Sequence, residues 1–107
     1  MRFKEEYELF LKEWGQESQE RMAIEEMSEL IKELCKKIRY EKVDFNEPVP
    51  KEKIDKVYKN IQEEIADVLN MVEQLEVYYG TEEIEDIRKE KIDRTMKLLR
   101  EVNDERK

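Results

Sequence analysis

The chain has 107 residues, with 21 Lys and Arg against 29 Asp and Glu, and a net charge of −8. It contains no histidine, which removes imidazole-activated nucleophiles, His-ligated zinc and a histidine pH switch. Two glycines and two prolines leave no room for a Gly-rich phosphate loop, a dinucleotide fingerprint or a turn-dense sandwich, so a single all-α domain over 1–107 is expected.

A chain this rich in charge folds only if its apolar residues are periodic, and they are. Phe3, Tyr7, Phe10, Leu11 and Trp14 lie on one face of a predicted first helix, which Gly15 can end in a left-handed cap. Ser18 is a fitting N-cap for a second helix, in which Ile24, Met27, Ile31, Leu34 and Ile38 step by three and four to about position 40. Cys35, the one cysteine, falls in this run and reads as a small buried hydrophobe without redox chemistry. The stretch Asp44-Phe45-Asn46-Glu47-Pro48-Val49-Pro50 forces a connector. A third helix follows, with Ile54, Val57, Ile61, Ile65, Val68, Val72 and Leu75 as its stripe and Gly80 as its C-cap. Thr81 is expected to cap a fourth helix that opens on Glu82, Glu83 and Glu85 and frays from position 103. The expected fold is all-α and four-helix bundle-like, with a short first helix and long antiparallel helices two and three.

The N-terminus carries acids where a signal peptide needs an apolar core, and no run of about 18 apolar residues occurs, so a cytoplasmic protein without a membrane partner is expected. At pI 4.8, DNA, RNA and anionic membranes are repelled on average, and a polyanionic ligand needs a local cation.

Acids cluster twice, in Glu25-Glu26-Met27-Ser28-Glu29 and in Glu63-Glu64-Ile65-Ala66-Asp67. Spacing of three puts two carboxylates one helical turn apart, where they repel by a few tenths of a kcal/mol, roughly, unless a cation lies between them. In a chain with 29 acids such pairs also arise as a solvated face. Glu29 lies 12 residues before position 41 and Glu64 lies 11 after position 53, so in an antiparallel pair both stand about 16–18 Å from the turn. Four carboxylates at one height suit Mg²⁺ or Mn²⁺, which prefer hard oxygen ligands. On a helical wheel Glu26 and Glu29 lie away from the apolar stripe of their helix, so a site there needs a covering helix or a second subunit, and a homo-oligomer (dimer or tetramer) is expected.

Glu26-Met-Ser-Glu29-Leu30 followed by Glu64-Ile-Ala-Asp67-Val68-Leu69-Asn70 resembles the ExxE…ExxD pattern of the MazG-like all-α nucleoside triphosphate pyrophosphohydrolases. Trp14-Gly15 upstream, the doubled acids and Lys91-Ile-Asp-Arg94 on the last helix agree, although the 34 residues between Glu29 and Glu64 exceed the family's usual spacer. The resemblance implies Mg²⁺-dependent cleavage of a nucleoside triphosphate between its α and β phosphates, giving monophosphate and pyrophosphate. It makes Glu26, Glu29, Glu64 and Asp67 the catalytic metal ligands, with Glu25 or Glu63 orienting a ligand or taking the proton of the attacking water. Lys91 and Arg94 would face the phosphates and Asn70 the sugar or base edge, and by residue type Trp14, with Phe10 and Tyr7, offers a face on which a base can stack. For each a plainer reading exists: Lys91 as a snorkelling lysine, Asn70 as an exposed polar residue, and Trp14 with Phe10 and Tyr7 as core. Met22, Met27 and Met71 read as packing residues. The alternatives are a phosphoribosyl-ATP pyrophosphohydrolase-type relative and a non-enzymatic acidic helical module.

Overall fold

The computed structural model describes residues 1–42 and 48–106, and these form four helices: α1 (Lys4–Trp14), α2 (Gln16–Glu41), α3 (Lys51–Tyr79) and α4 (Thr81–Glu105). The fold is all-α and four-helix bundle-like as the apolar periodicity implies, with α2 and α3 the long packed pair and α1 laid across both. Of the expected connector, positions 44–47 lie outside the described residues, and Pro48, Val49 and Pro50 are non-helical.

Both glycines act as hinges between helices that follow one another without a loop. Gly15 (φ 87°, ψ 152°) and Gly80 (φ 117°, ψ 102°) adopt positive φ, which costs a residue with a Cβ, and their N–H groups donate to Leu11 and Glu76 respectively. The turn at Gly15 is more extended than the expected left-handed cap. Because each glycine also serves as N-cap of the next helix, Ser18 and Thr81 do not cap. Ser18 lies inside α2, and the Thr81 hydroxyl reaches back to the Glu76 carbonyl, at the end of α3. Helix α4 runs on to Glu105 rather than fraying from 103.

The main departure from expectation is which face of α2 meets α3. The contact face of α2 is Gln19, Ala23, Glu26, Leu30, Glu33 and Lys37, a largely polar row, while Ile24 (62 % exposed), Ile31 (61 %) and Ile38 stay in solvent. Helix α3 divides its apolar residues between two faces: Val57, Ile61, Val68 and Met71 turn inward, whereas Tyr58, Ile65, Leu69 and Val72 remain exposed. Cys35 is exposed rather than buried because it belongs to the outer side of α2, and Met22 and Met27 are likewise exposed, leaving Met71 as the packed methionine of the three.

The buried core is consequently small and partly polar. Tyr7, Ala23, Val57 and Met71 are its apolar members, and Gln19 and Gln74 form a hydrogen-bonded amide pair across α2 and α3, Gln74 Nε2 donating to Gln19 Oε1 at 2.8 Å. Gln74 is 2 % exposed, so removing its partner strands a buried amide. Gln19→Leu or Gln74→Leu alone is expected to cost about 1–3 kcal/mol. The double variant is expected to cost less than the sum of the two, a coupling that denaturant unfolding of all four proteins measures.

Helix α4 packs on α3 alone among the described helices and contributes no buried residue. The Cα radius of gyration is 18.8 Å, against about 13 Å for a compact chain of this length.

Candidate metal centre

Because the Glu26 face of α2 is the one that packs on α3, the wheel position that set this acid apart from the apolar stripe brings it to the interface. One carboxylate oxygen each from Glu26, Glu64 and Asp67 lies within 4.8 Å of the other two. Glu26 and Glu64 are half-buried and Asp67 is exposed, so the cluster is closed on the helix-pair side and open to solvent on the other. Glu29 does not join it. This residue is exposed on α2 one turn beyond Glu26, where the three-residue step turns it past the contact face, so the structure does not bring its carboxylate into the three-oxygen group. Glu25 and Glu63 are exposed and also stay outside the cluster.

The carboxylates of the cluster stand close enough to oppose one another's ionisation. The Glu26 carboxyl is pushed above the ordinary glutamate range, first by burial, then by the negative charge of Asp67 and by carboxyl contact with Glu64. Glu64 Oε2 is buried without a hydrogen-bond partner. Hard oxygen donors, mutual repulsion and an orphaned buried oxygen fit a Mg²⁺ or Mn²⁺ ion.

Beside the cluster lies a cavity of about 450 Å³ between α1 and the α2–α3 pair. Its walls are the aromatic face of α1 with Gln19, Asn70 and Gln74, a mostly apolar lining with a few amides of the kind and size that small-molecule sites use. Trp14 is 57 % exposed and stacks on Phe10 at 5.3 Å, so it is a wall rather than core, whereas Tyr7 is core. The Tyr7 hydroxyl donates to Glu73 Oε2 at 2.7 Å and stands 3.3 Å from Asn70 Oδ1. Burial, then the hydrogen bond and charge of Glu73, push its pKa up to about 12. Asn70 follows Asp67 by one turn on α3, so cavity and cluster adjoin.

Lys91 and Arg94 are not part of this arrangement. Both are exposed on α4, and every residue of α4 from Glu85 onward is exposed, since the helix leaves α3 after the Gly80 hinge. Of the stripe that Lys91 shares with Ile84, Ile87, Leu98 and Val102, Ile84 is half-buried and the rest faces water within one chain.

At the α3–α4 hinge, Glu76 is buried with Oε1 lacking a partner, and its pKa is raised by burial first and then by contact with Glu85 and its charge, against the opposing charge of Arg88. A carboxyl whose folded pKa is raised binds more protons folded than unfolded, so its stability contribution is complete below the unfolded value and is lost as pH rises through the folded one. Glu76 and Glu26 shift in the same direction. The metal-free protein is therefore expected to melt at a higher temperature near pH 5 than at pH 7.5, and Glu76→Gln should flatten that slope. Melting curves across this range check both.

No helix of the described residues is long and apolar enough to cross a membrane. Comparison of the chain with protein-family models, with curated proteins and with solved structures gives no match in any of the three.

Proposed function

We propose that the protein is a Mg²⁺-dependent nucleoside triphosphate pyrophosphohydrolase of the MazG-like kind, acting on the α–β phosphate bond. The observation that carries this reading is the meeting of Glu26, Glu64 and Asp67 from two helices, with a ligand-sized cavity one turn away along α3. In this reading the three carboxylates hold the ion, Glu29 adds negative charge at the open edge, and the nucleoside half lies in the cavity against Trp14 and Asn70. When bound, Mg²⁺ (or Mn²⁺) neutralises phosphate charge, orients the triphosphate and acidifies water. Glu25 and Glu63 are the exposed bases flanking the cluster that can accept a proton from the attacking water.

The same reading includes a homo-oligomer, and what supports it is the exposed apolar surface. On antiparallel helices the outer stripe of α2 (Ile24, Met27, Ile31, Leu34, Ile38) and that of α3 (Tyr58, Ile65, Leu69, Val72) fall on one side, opposite Glu29 and Asp67. The accessible surface is 9138 Å², whereas a compact monomer of this mass exposes about 6,400 Å². The excess of about 2,700 Å² includes the exposed length of α4 and is larger than the roughly 1,000–2,500 Å² that each subunit of an obligate homodimer covers, so it leaves room for one such interface. A second copy seated on the α2–α3 face would leave the acid cluster accessible.

The test is the product pattern, by phosphorus NMR, of a panel of ribo- and deoxynucleoside triphosphates incubated with Mg²⁺. Monophosphate with pyrophosphate is the expected outcome, and diphosphate with phosphate would place the cut elsewhere. Turnover of phosphoribosyl-ATP alone would move the reaction to that related substrate. No turnover with any of them, and no metal-linked melting shift, would leave an acidic helical binding module.

A further inference from the structure

A polyanionic substrate on a chain of net charge −8 needs local cations, and α4 does not bring Lys91 and Arg94 to the acid cluster. Positive charge gathers elsewhere. At the far end of the α2–α3 pair a cavity of about 160 Å³ is lined by Lys36, Lys53 and Lys56 together with Tyr40, Val57 and Asn60. The neighbouring Lys37 is committed to Glu41 at 3.2 Å and lies over the Tyr58 ring, but none of the three cavity lysines takes part in an ion pair among the described residues. The cavity also adjoins the first turn of α3, whose N-cap Pro50 offers no side-chain cap, so the positive helix end adds to the lysines.

The position of these lysines relative to the cluster is set by helix geometry. Lys53, Lys56, Asn60, Glu64, Asp67, Asn70 and Gln74 step by three and four along α3 and so follow one stripe. On α2 the opposing row, read the other way, is Tyr40, Lys36, Glu33, Glu26 and Gln19. The polar side of the helix pair thus carries three features in fixed order: the apolar, amide-bearing cavity, the carboxylate cluster, and the lysine cavity. Glu64 and Lys56 are separated by about 12 Å along the helix, a gap that a lysine's four-carbon stem shortens. Glu33 stands between them with Oε2 buried and without a hydrogen-bond partner among the described residues.

The geometry points to the Lys36–Lys53–Lys56 cavity as the subsite for the terminal phosphates of a nucleoside triphosphate, and for pyrophosphate as leaving group. The inference rests on the proposed hydrolase reading for its substrate, and it adds the direction in which that substrate lies: nucleoside at the α1 end, polyphosphate toward the connector. The lysines bind charge that substrate and product share, so their removal acts on binding more than on the chemical step.

The experiment is a calorimetric titration of inorganic tripolyphosphate, with Mg²⁺ present, into the wild-type protein, the Lys36→Gln/Lys56→Gln variant and a Lys51→Gln control whose lysine is at the same end but outside the cavity. Circular dichroism confirms that all three remain helical. The double variant should bind at least tenfold more weakly and the control within twofold of wild type. With nucleoside triphosphate the double variant should raise KM tenfold or more while kcat changes less than threefold. Equal binding by wild type and double variant, equal weakening by Lys51→Gln, or no binding to the wild type would each overturn the subsite. Pyrophosphate release with KM unchanged in the double variant would keep the hydrolase and remove the subsite. Lysine-dependent tripolyphosphate binding in a protein that hydrolyses no nucleotide would do the reverse.

Discussion

Asp67→Asn and Glu64→Gln are expected to lower Mg²⁺-dependent pyrophosphate release by more than about a hundredfold, because even residues that only support metal ligands cost about 10–100-fold when removed. Their effect on the fold should have the opposite sign. Each substitution removes a like-charge contact from a cluster in which Glu26 is already pushed toward protonation. Without metal the melting temperature should therefore rise by about 1–3 °C. In the wild type Mg²⁺ should raise it further, and in the variants that metal-linked shift should disappear. Glu29→Gln separates the geometry from the sequence pattern. The structure leaves Glu29 outside the three-carboxylate group, so its loss should cost turnover less than the loss of Asp67 does. Steady-state turnover beside melting curves with and without Mg²⁺ reads all of these, and marked unfolding of Asp67→Asn in the absence of metal would mean that the acids are structural.

The second large effect is expected from Ile31→Glu. In an isolated chain Ile31 is 61 % exposed, and a charge there should change stability by no more than about 0.5 kcal/mol. At the centre of an interface between two α2–α3 faces the same charge is buried without a partner, at about 3–5 kcal/mol. Sedimentation should then show twice the 13.2 kDa chain mass for wild type and the single-chain mass for Ile31→Glu. A wild-type monomer at micromolar concentration, or an unchanged assembly in the variant, would contradict the covered face.

The four helices were legible in the sequence because their boundaries are fixed by residues with one conformational role. Gly15 and Gly80 supply positive φ, and the prolines at 48 and 50 stop a helix. Ser18 and Thr81 misled because a glycine hinge caps the helix before it and opens the helix after it, leaving no position for a side-chain cap. The site was legible in part. Helical spacing singled out Glu26, Glu64 and Asp67, which the structure brings together, along with Glu29, which it leaves apart, since a spacing of three places two acids on neighbouring positions without saying which of them the partner helix meets. Periodicity likewise could not show that α3 would pack against the polar flank of α2 rather than its apolar stripe. The face of α2 that meets α3 exposes Ile31 and draws Glu26 and Gln19 inward. The lysines at 36, 53 and 56, which form no ion pair among the described residues, gave no signal along the chain, because they come from two helices separated by the connector. They are recognisable only once the register of α2 on α3 is known.

In the proposed function the three-carboxylate cluster holds a divalent ion that acts on a nucleoside triphosphate. The most direct measurement is Mn²⁺ binding, followed by electron paramagnetic resonance, to wild-type and Asp67→Asn protein with and without a slowly hydrolysed α,β-methylene deoxynucleoside triphosphate. The wild type is expected to bind the ion, and more tightly when the nucleotide is present, with both effects lost in Asp67→Asn. Identical Mn²⁺ binding by the two proteins, or no response to the nucleotide, would contradict the proposed function.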